Sequence, residues 1–256
     1  MSTVSRSFTV DSLEVRVFAT QADLAQAAAS EAQAVLQEAI TRAGGAAVIF
    51  AAANSQNQFL AALVALGGVD WGKVTMFHMD EYLGLDSRHP ASFRRFLRER
   101  VEQTVRPKAF HCIEGEAMQP LAECERYASL LAAQPIDLCL LGIGENGHLA
   151  FNDPPVAEFA DRHCVKLVKL DEACREQQVG EGHFPTLAHV PQYALTLTIP
   201  ALCAARRMLC ITPERRKAQA VRDALLGPVR PACPASWLRR QAHCTLFLDA
   251  ESASLL

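Results

Sequence analysis

Five short apolar runs punctuate the chain: AAVIFA at residues 46–51, KVTMFHM at 73–79, IDLCLL at 136–141, RRMLCIT at 206–212 and CTLFLD at 244–249. None alternates cleanly between apolar and polar positions, so each must be covered on both faces. Stretches of helical composition lie between them. TQADLAQAAASEAQAVLQEAI has Thr20 placed to cap a helix, with Asp23 at the capping-box distance, and the Gly44–Gly45 pair ends it. NSQNQFLAALVAL, PASFRRFLRERVEQTV, LAECERYASLLAA and PERRKAQAVRDALL supply further helices. Strands separated by helices of this length predict a mostly parallel sheet with helices on both faces. ALTLTIP, from residue 194, is expected to add another strand.

At 256 residues, half of them hydrophobic, the chain can bury one sizeable core. No repeat or low-complexity linker divides it, so residues 1–256 read as a single α/β unit. The rhythm breaks at 154–191, where PPVAEFADR and LDEACREQQVGEGHFPTLAHVP show little periodicity. That segment is either a loose crossover or a lid over a site positioned by the sheet. A net charge of -3 offers no general attraction for nucleic acid or acidic membranes. The opening residues lack the apolar core of a secretory signal, and no run of about 18 apolar residues suggests a membrane span. Nine cysteines form no C-x-x-C pair and lie mostly in apolar settings, which points to reduced thiols and a cytoplasmic location.

Two polar clusters follow apolar runs directly: HMDEYLGLD after KVTMF, and GIGENGHLAFND after IDLCLL. At the carboxyl edge of an open α/β sheet such clusters can meet in one pocket, here holding Asp80, Glu81, Asn146, His148 and Asp153. Each residue also has a plainer reading. Asp80 or Glu81 could cap a helix or pair on the surface, His148 could be a satisfied loop histidine, and Asp153 could hold the turn before Pro154. GIGENG has the spacing of a dinucleotide fingerprint but runs on into HLAFNDPP where a helix should begin, so a nicotinamide cofactor is not expected. His78, His148 and the carboxylates lack a recognised zinc spacing.

MDEYLGL and LGIGENGHLAFNDPP resemble the glucosamine-6-phosphate deaminase/isomerase family, whose relatives include the 6-phosphogluconolactonases. The resemblance covers roughly residues 15 to 250, and FND after the histidine favours the deaminase side. It implies a modified Rossmann-like fold without a nucleotide, no cofactor, no metal, and a small sugar phosphate as ligand, with a homo-oligomer left open. It implies conversion of an amino-sugar phosphate, glucosamine 6-phosphate foremost, to the ketose phosphate and ammonia. By motif position, Asp80 matches the carboxylate that moves the proton between C2 and C1, and His148 the histidine that assists ring opening. Asp153 replaces a glutamate partner, Asn146 replaces an aspartate, and Gly147 and Glu81 fall within the matched substrate-binding stretches.

The chain departs from the family where the phosphate should bind. In place of a Pro-Thr-Gly-Gly-Thr-Pro loop stand Ala51, Ala52, Ala53, Asn54, Ser55 and Gln56. Losing both glycines removes the easiest route to close anion approach. Asn54 and Ser55, at a helix start, could still offer N–H groups to an anion or could simply cap the helix. Lys217 falls where the family has a phosphate-binding lysine. The lid arginine appears as Gln178, with Arg175 one turn earlier as a substitute. Hydrolysis of a sugar-phosphate lactone, with His148 activating water, and non-catalytic sugar-phosphate binding are the competing readings.

Overall fold

The computed structural model describes residues 4–256. The strands are β1 (Val4–Val10), β2 (Leu13–Phe18), β3 (Ala46–Phe50), β4 (Val74–His78), β5 (Asp80–Tyr82), β6 (Ala109–His111), β7 (Leu138–Leu141), β8 (Val165–Lys169), β9 (Tyr193–Leu197), β10 (Arg207–Thr212) and β11 (Cys244–Asp249). The helices are α1 (Gln21–Ala43), α2 (Asn57–Leu66), α3 (Phe93–Leu97), α4 (Gln103–Val105), α5 (Pro120–Ala132), α6 (Glu172–Gly180), α7 (Ile199–Cys203) and α8 (Ala218–Leu226). A π-helical segment, Arg98–Glu102, joins α3 to α4 in one continuous rod.

Eight strands form the main sheet in the order β1-β2-β11-β10-β7-β3-β4-β6. Only the β1–β2 hairpin is antiparallel; every other neighbour pair runs parallel. Strand periodicity sends Ala46, Val48 and Phe50 of β3 into one core and Ala47 and Ile49 into the other. α1 and α2 cover the first face, while α5, α7 and α8 cover the second. α1 buries a stripe of Leu24, Ala25, Ala28, Ala29, Ala32, Leu36 and Ala39. Its Thr20 cap accepts from the Asp23 N–H, and Gly44, at φ 75°, closes its far end, as the sequence predicts.

From β3 the chain moves outward to β4 and β6, whereas from β7 it moves the other way to β10 and β11. The strand order therefore reverses between β3 and β7, leaving a crevice at their carboxyl ends. ALTLTIP does form a strand, β9, but outside the parallel sheet: it is the centre of a separate antiparallel sheet ordered β5-β9-β8. The stretch at 154–191 is more regular than its composition suggests, containing β8 and α6. No helix among the described residues is long and apolar enough to cross a membrane.

Candidate active site

The crevice between the ends of β3 and β7 is the candidate site. Ala51, Ala52, Ala53, Ser55 and Gln56 come from the turn after β3, and Gly142, Ile143, Gly144 and His148 from the loop after β7. Asp80 opens β5, while Gln177 and Gln178 reach in from α6 and Lys217 from the turn before α8. Phe93 and Phe151, stacked at 5.6 Å between ring centroids, make an apolar wall.

The loop carrying His148 is pinned from below. Asn152 donates to the Leu149 and Leu197 carbonyls at 2.9 and 2.8 Å, and Thr196 Oγ1 accepts from the Phe151 N–H at 3.1 Å. Two of these anchors lie on β9, so the second sheet supports the loop. Gly144 is required by close approach: a Cβ there would collide with the imidazole ring of His148.

His148 Nδ1 lies 2.7 Å from Asn146 Oδ1 and 3.1 Å from Asp153 Oδ1. The carboxamide orientation is set independently, because Asn146 Oδ1 accepts the His148 backbone N–H at 3.0 Å and Nδ2 donates to Asp153 at 3.0 Å. Nδ1 thus faces two acceptors and carries the proton, leaving the Nε2 lone pair free. Burial pushes the Asp153 pKa up, but hydrogen bonds from His148, Asn146 and the Asp171 N–H outweigh it and the net direction is down. Asp153 therefore stays ionised beneath the ring.

Asp80 has a different environment. It is buried, its carboxylate accepts no hydrogen bond among the described residues, and burial together with the neighbouring Glu81 charge pushes its pKa well up. Lys217 is also buried, and burial pulls its pKa down.

Several residues expected in the pocket are placed elsewhere. Glu81 points away from Asp80 and pairs with the buried Arg94 at 3.1 Å, also accepting from Ser92 Oγ and the Phe93 and Arg94 N–H groups. Adjacent strand residues face opposite sides, which is the physical reason. Arg175 is not a substitute cation in the cleft, since its guanidinium donates to the Leu187 and Val190 carbonyls. Asn54 turns toward the Glu181 carbonyl, and Gly147, at φ 83°, packs its backbone beside Cys233 behind the loop. Asp80, Asn146, His148, Asp153, Ser55, Gln178 and Lys217 converge on the cleft or directly support it.

Three contributors carry no motif signal. Gln56 is fully buried and donates to the Ile211 carbonyl and Ser55 Oγ. Gln177 accepts from the Glu145 N–H and donates to Glu181, and Arg216 bridges Glu145 and Glu181. The one available signal was the density of amides in NSQNQ and REQQ. His78 is structural: burial holds its pKa at about 3, and its Nε2 accepts from the Ile113 N–H. His148, Asp153 and Cys174 bring potential metal-ligand atoms within 4.8 Å of one another among the described residues. Burial keeps the Cys174 thiol protonated, which disfavours metal capture there.

Residues 19–247 match the profile of a family described as glucosamine-6-phosphate isomerases/6-phosphogluconolactonase. A glucosamine-6-phosphate deaminase of Exiguobacterium sibiricum is 39% identical over 188 residues, 73% of each chain. Another from Bacillus cytotoxicus is 33% identical over 226 residues, covering 88% of this chain and 84% of the relative. Among solved structures, one described as a monomeric glucosamine-6-phosphate deaminase superposes with a TM-score of 0.86 at 30% identity, over 94% of this chain and 99% of that one. A 6-phosphogluconolactonase from Shewanella baltica shares the fold, with a TM-score of 0.77 at 21% identity over 95% of this chain and 98% of that one.

Proposed function

The chain belongs to the glucosamine-6-phosphate isomerase/6-phosphogluconolactonase family, and from that premise we propose how its own residues act on an amino-sugar phosphate. It is an enzyme of the glucosamine-6-phosphate deaminase type. The reaction is conversion of glucosamine 6-phosphate and water to fructose 6-phosphate and ammonia. One juxtaposition carries the assignment of roles: Asp80 and a tautomer-fixed His148 line the same cleft.

His148 Nε2 takes the proton of the anomeric hydroxyl as the ring opens and supplies one to the ring oxygen. Asn146 and Asp153 hold Nδ1–H throughout. Ionised Asp80 then removes the C2 proton; the electron pair moves into a C1–C2 double bond as the aldehyde oxygen takes a proton from the C2 ammonium, and Asp80 returns its proton to C1. An iminium remains at C2; water adds there and ammonia leaves, giving the ketose. The environment that raises the Asp80 pKa strengthens the carboxylate as a base, which suits a carbon proton. Ser55, Gln178 and Lys217 receive the terminal phosphate, while α6, in the 154–191 segment, acts as a lid. Nine free thiols fit a reducing, cytoplasmic setting.

The test is to incubate the protein with glucosamine 6-phosphate and follow ammonia and fructose 6-phosphate together. Equal yields of both are expected; neither product above the uncatalysed rate across about pH 6 to 9 rejects the reading. Galactosamine 6-phosphate, run in parallel, reports the preference at C4. Deuterium from solvent should enter C1 of the ketose, which a lactone-hydrolysing site would not produce.

A further inference from the structure

Among the described residues, Lys217 is the only lysine or arginine lining the cleft, and it is 3% exposed. Among those residues its ammonium has no hydrogen-bond or ion-pair partner. Gln178, 7% exposed, also lines the cleft, and its carboxamide has no partner among the described residues. Two unpartnered, more than nine-tenths buried polar groups therefore face the same space, together with Ser55.

The charges behind them are unbalanced. Arg216 is the single guanidinium between three carboxylates: Glu214 beside it, Glu145 from the loop after β7 at 3.2 Å, and Glu181 at the end of α6 at 2.7 Å. His183 lies 3.3 Å from Glu181 and adds charge only when protonated. Asp80 and His148 line the same cleft. A doubly charged terminal group would meet one ammonium in front of a layer that carries excess negative charge. In a water-poor cleft, the unmatched second charge is costly.

Gln178 suits a different ligand. A guanidinium at this position could only donate hydrogen bonds, whereas a carboxamide both donates and accepts, so it can take the O–H of a hydrogen phosphate. We propose, resting on the amino-sugar reading above, that this terminal subsite is matched to one negative charge. The amino sugar is bound with a monoanionic end group, its charge against Lys217 and its remaining oxygens hydrogen-bonded to Gln178 and Ser55. A phosphomonoester enters as the hydrogen phosphate, and a sulfate ester fits without a proton.

Calorimetry on the intact protein with reduced amino sugars separates these cases. 2-Amino-2-deoxyglucitol 6-phosphate and its 6-sulfate lack the aldehyde and are not turned over. Because the second phosphate pKa is about 6, the phosphate should lose at least about tenfold in affinity between about pH 6 and 8 relative to the sulfate. The amine titrates alike in both ligands and cancels in their ratio. Gln178→Arg, which supplies a second cation, should abolish that relative loss and make the phosphate the tighter ligand at the higher pH. The proposal is overturned if the phosphate already binds tighter than the sulfate there in the unaltered protein. Parallel weakening of both ligands, which would trace to Lys217, also overturns it, as does a constant ratio. The comparison in the unaltered protein stands even if Gln178→Arg does not fold. Failure of the catalytic reading is seen separately, as absent ammonia and ketose from the unreduced sugar.

Discussion

Asn146 Oδ1 lies 2.7 Å from His148 Nδ1, and this contact decides which imidazole nitrogen is free to act as a base. Asn146→Leu removes the acceptor and deprives Asp153 of a donor. His148→Gln removes the base itself. Both should slow turnover of the cyclic sugar, up to the roughly 100- to 10,000-fold that acid–base catalysis contributes. A pre-opened, acyclic analogue should recover more of the rate than the cyclic sugar. Equal losses on both substrates would contradict a role confined to ring opening.

Asp80→Asn should abolish exchange of the C2 proton with solvent while leaving ligand binding largely intact. It should also stabilise the protein. The folded pKa of Asp80 is raised, so the unfolded chain releases a proton that the folded protein retains, and stability falls as pH rises from the ordinary carboxylate range toward the folded pKa. The variant lacks this loss, and thermal melts should show its advantage growing as pH rises above the ordinary carboxylate range. An unchanged melting difference would deny the buried carboxylate its cost.

Lys217→Met keeps much of the aliphatic stem and removes the charge. A desolvated, charge-assisted contact is worth roughly 1.5 to 3 kcal/mol. Binding of the phosphorylated ligand should weaken by that amount, with little change for the unphosphorylated sugar. Equal weakening of both would place the phosphate away from Lys217.

α6 is held at its carboxyl end by Glu181, which meets Arg216, His183 and Gln177. Burial opposes its ionisation, but His183, Arg216 and Gln177 prevail and the pKa is held at about 2. A carboxylate depressed in this way contributes stability above its unfolded value and loses it as pH falls through the folded one. Hydrogen exchange across 172–183 should therefore accelerate between about pH 4.5 and 2, ahead of exchange in β3 and β7. Glu181→Gln should show fast exchange already at neutral pH. Simultaneous loss of protection in all three elements would mean that α6 has no independent closure.

Glu81→Gln takes from the Arg94 guanidinium its one buried carboxylate and leaves the more exposed Glu116 and Glu114, at 2.8 and 3.3 Å. An uncompensated buried charge costs about 3 to 5 kcal/mol; with two carboxylates still on Arg94 the loss should stay below that, and urea denaturation should register it as a lower midpoint. Rates measured on the fraction still folded should fall far less than those of Asp80→Asn.

Five of the eight main-sheet strands were legible because β3, β4, β7 and β11 are fully buried and β10 is buried but for Arg207, which leaves apolar runs between amphipathic helices; β1, β2 and β6 offer no such run. The second sheet was not. β8 buries only Val165 and Val168 completely and keeps lysines between its apolar positions, and β5 has only three residues. β9 reads as a strand, but nothing local says that it pairs antiparallel with β8 rather than joining the larger sheet. Asp80 and His148 stood out because each sits in a polar cluster directly after an apolar strand, and Lys217 because it falls where the resembled family has a phosphate-binding lysine, near a helix start. Gln56 and Gln177 did not, since an amide that the fold turns inward and a solvated one look alike until the partner groups of the fold are known.

The sheet that sequence reading missed sets a condition on the chemistry. Asp80 faces Thr196 and Glu81 faces Leu195 across the β5–β9 ladder. Side chains along a strand alternate in direction, so sliding this pairing by one position would exchange the two carboxylates. The reagent would then be clamped against a guanidinium, and the rivet would be exposed to the sugar. Two neighbouring acids, one letter apart in composition and nearly equal in chemistry, are told apart only by the parity of a three-residue strand. A single-residue insertion before Asp80 would thus be silent in composition, mild in hydropathy, and decisive for the reaction.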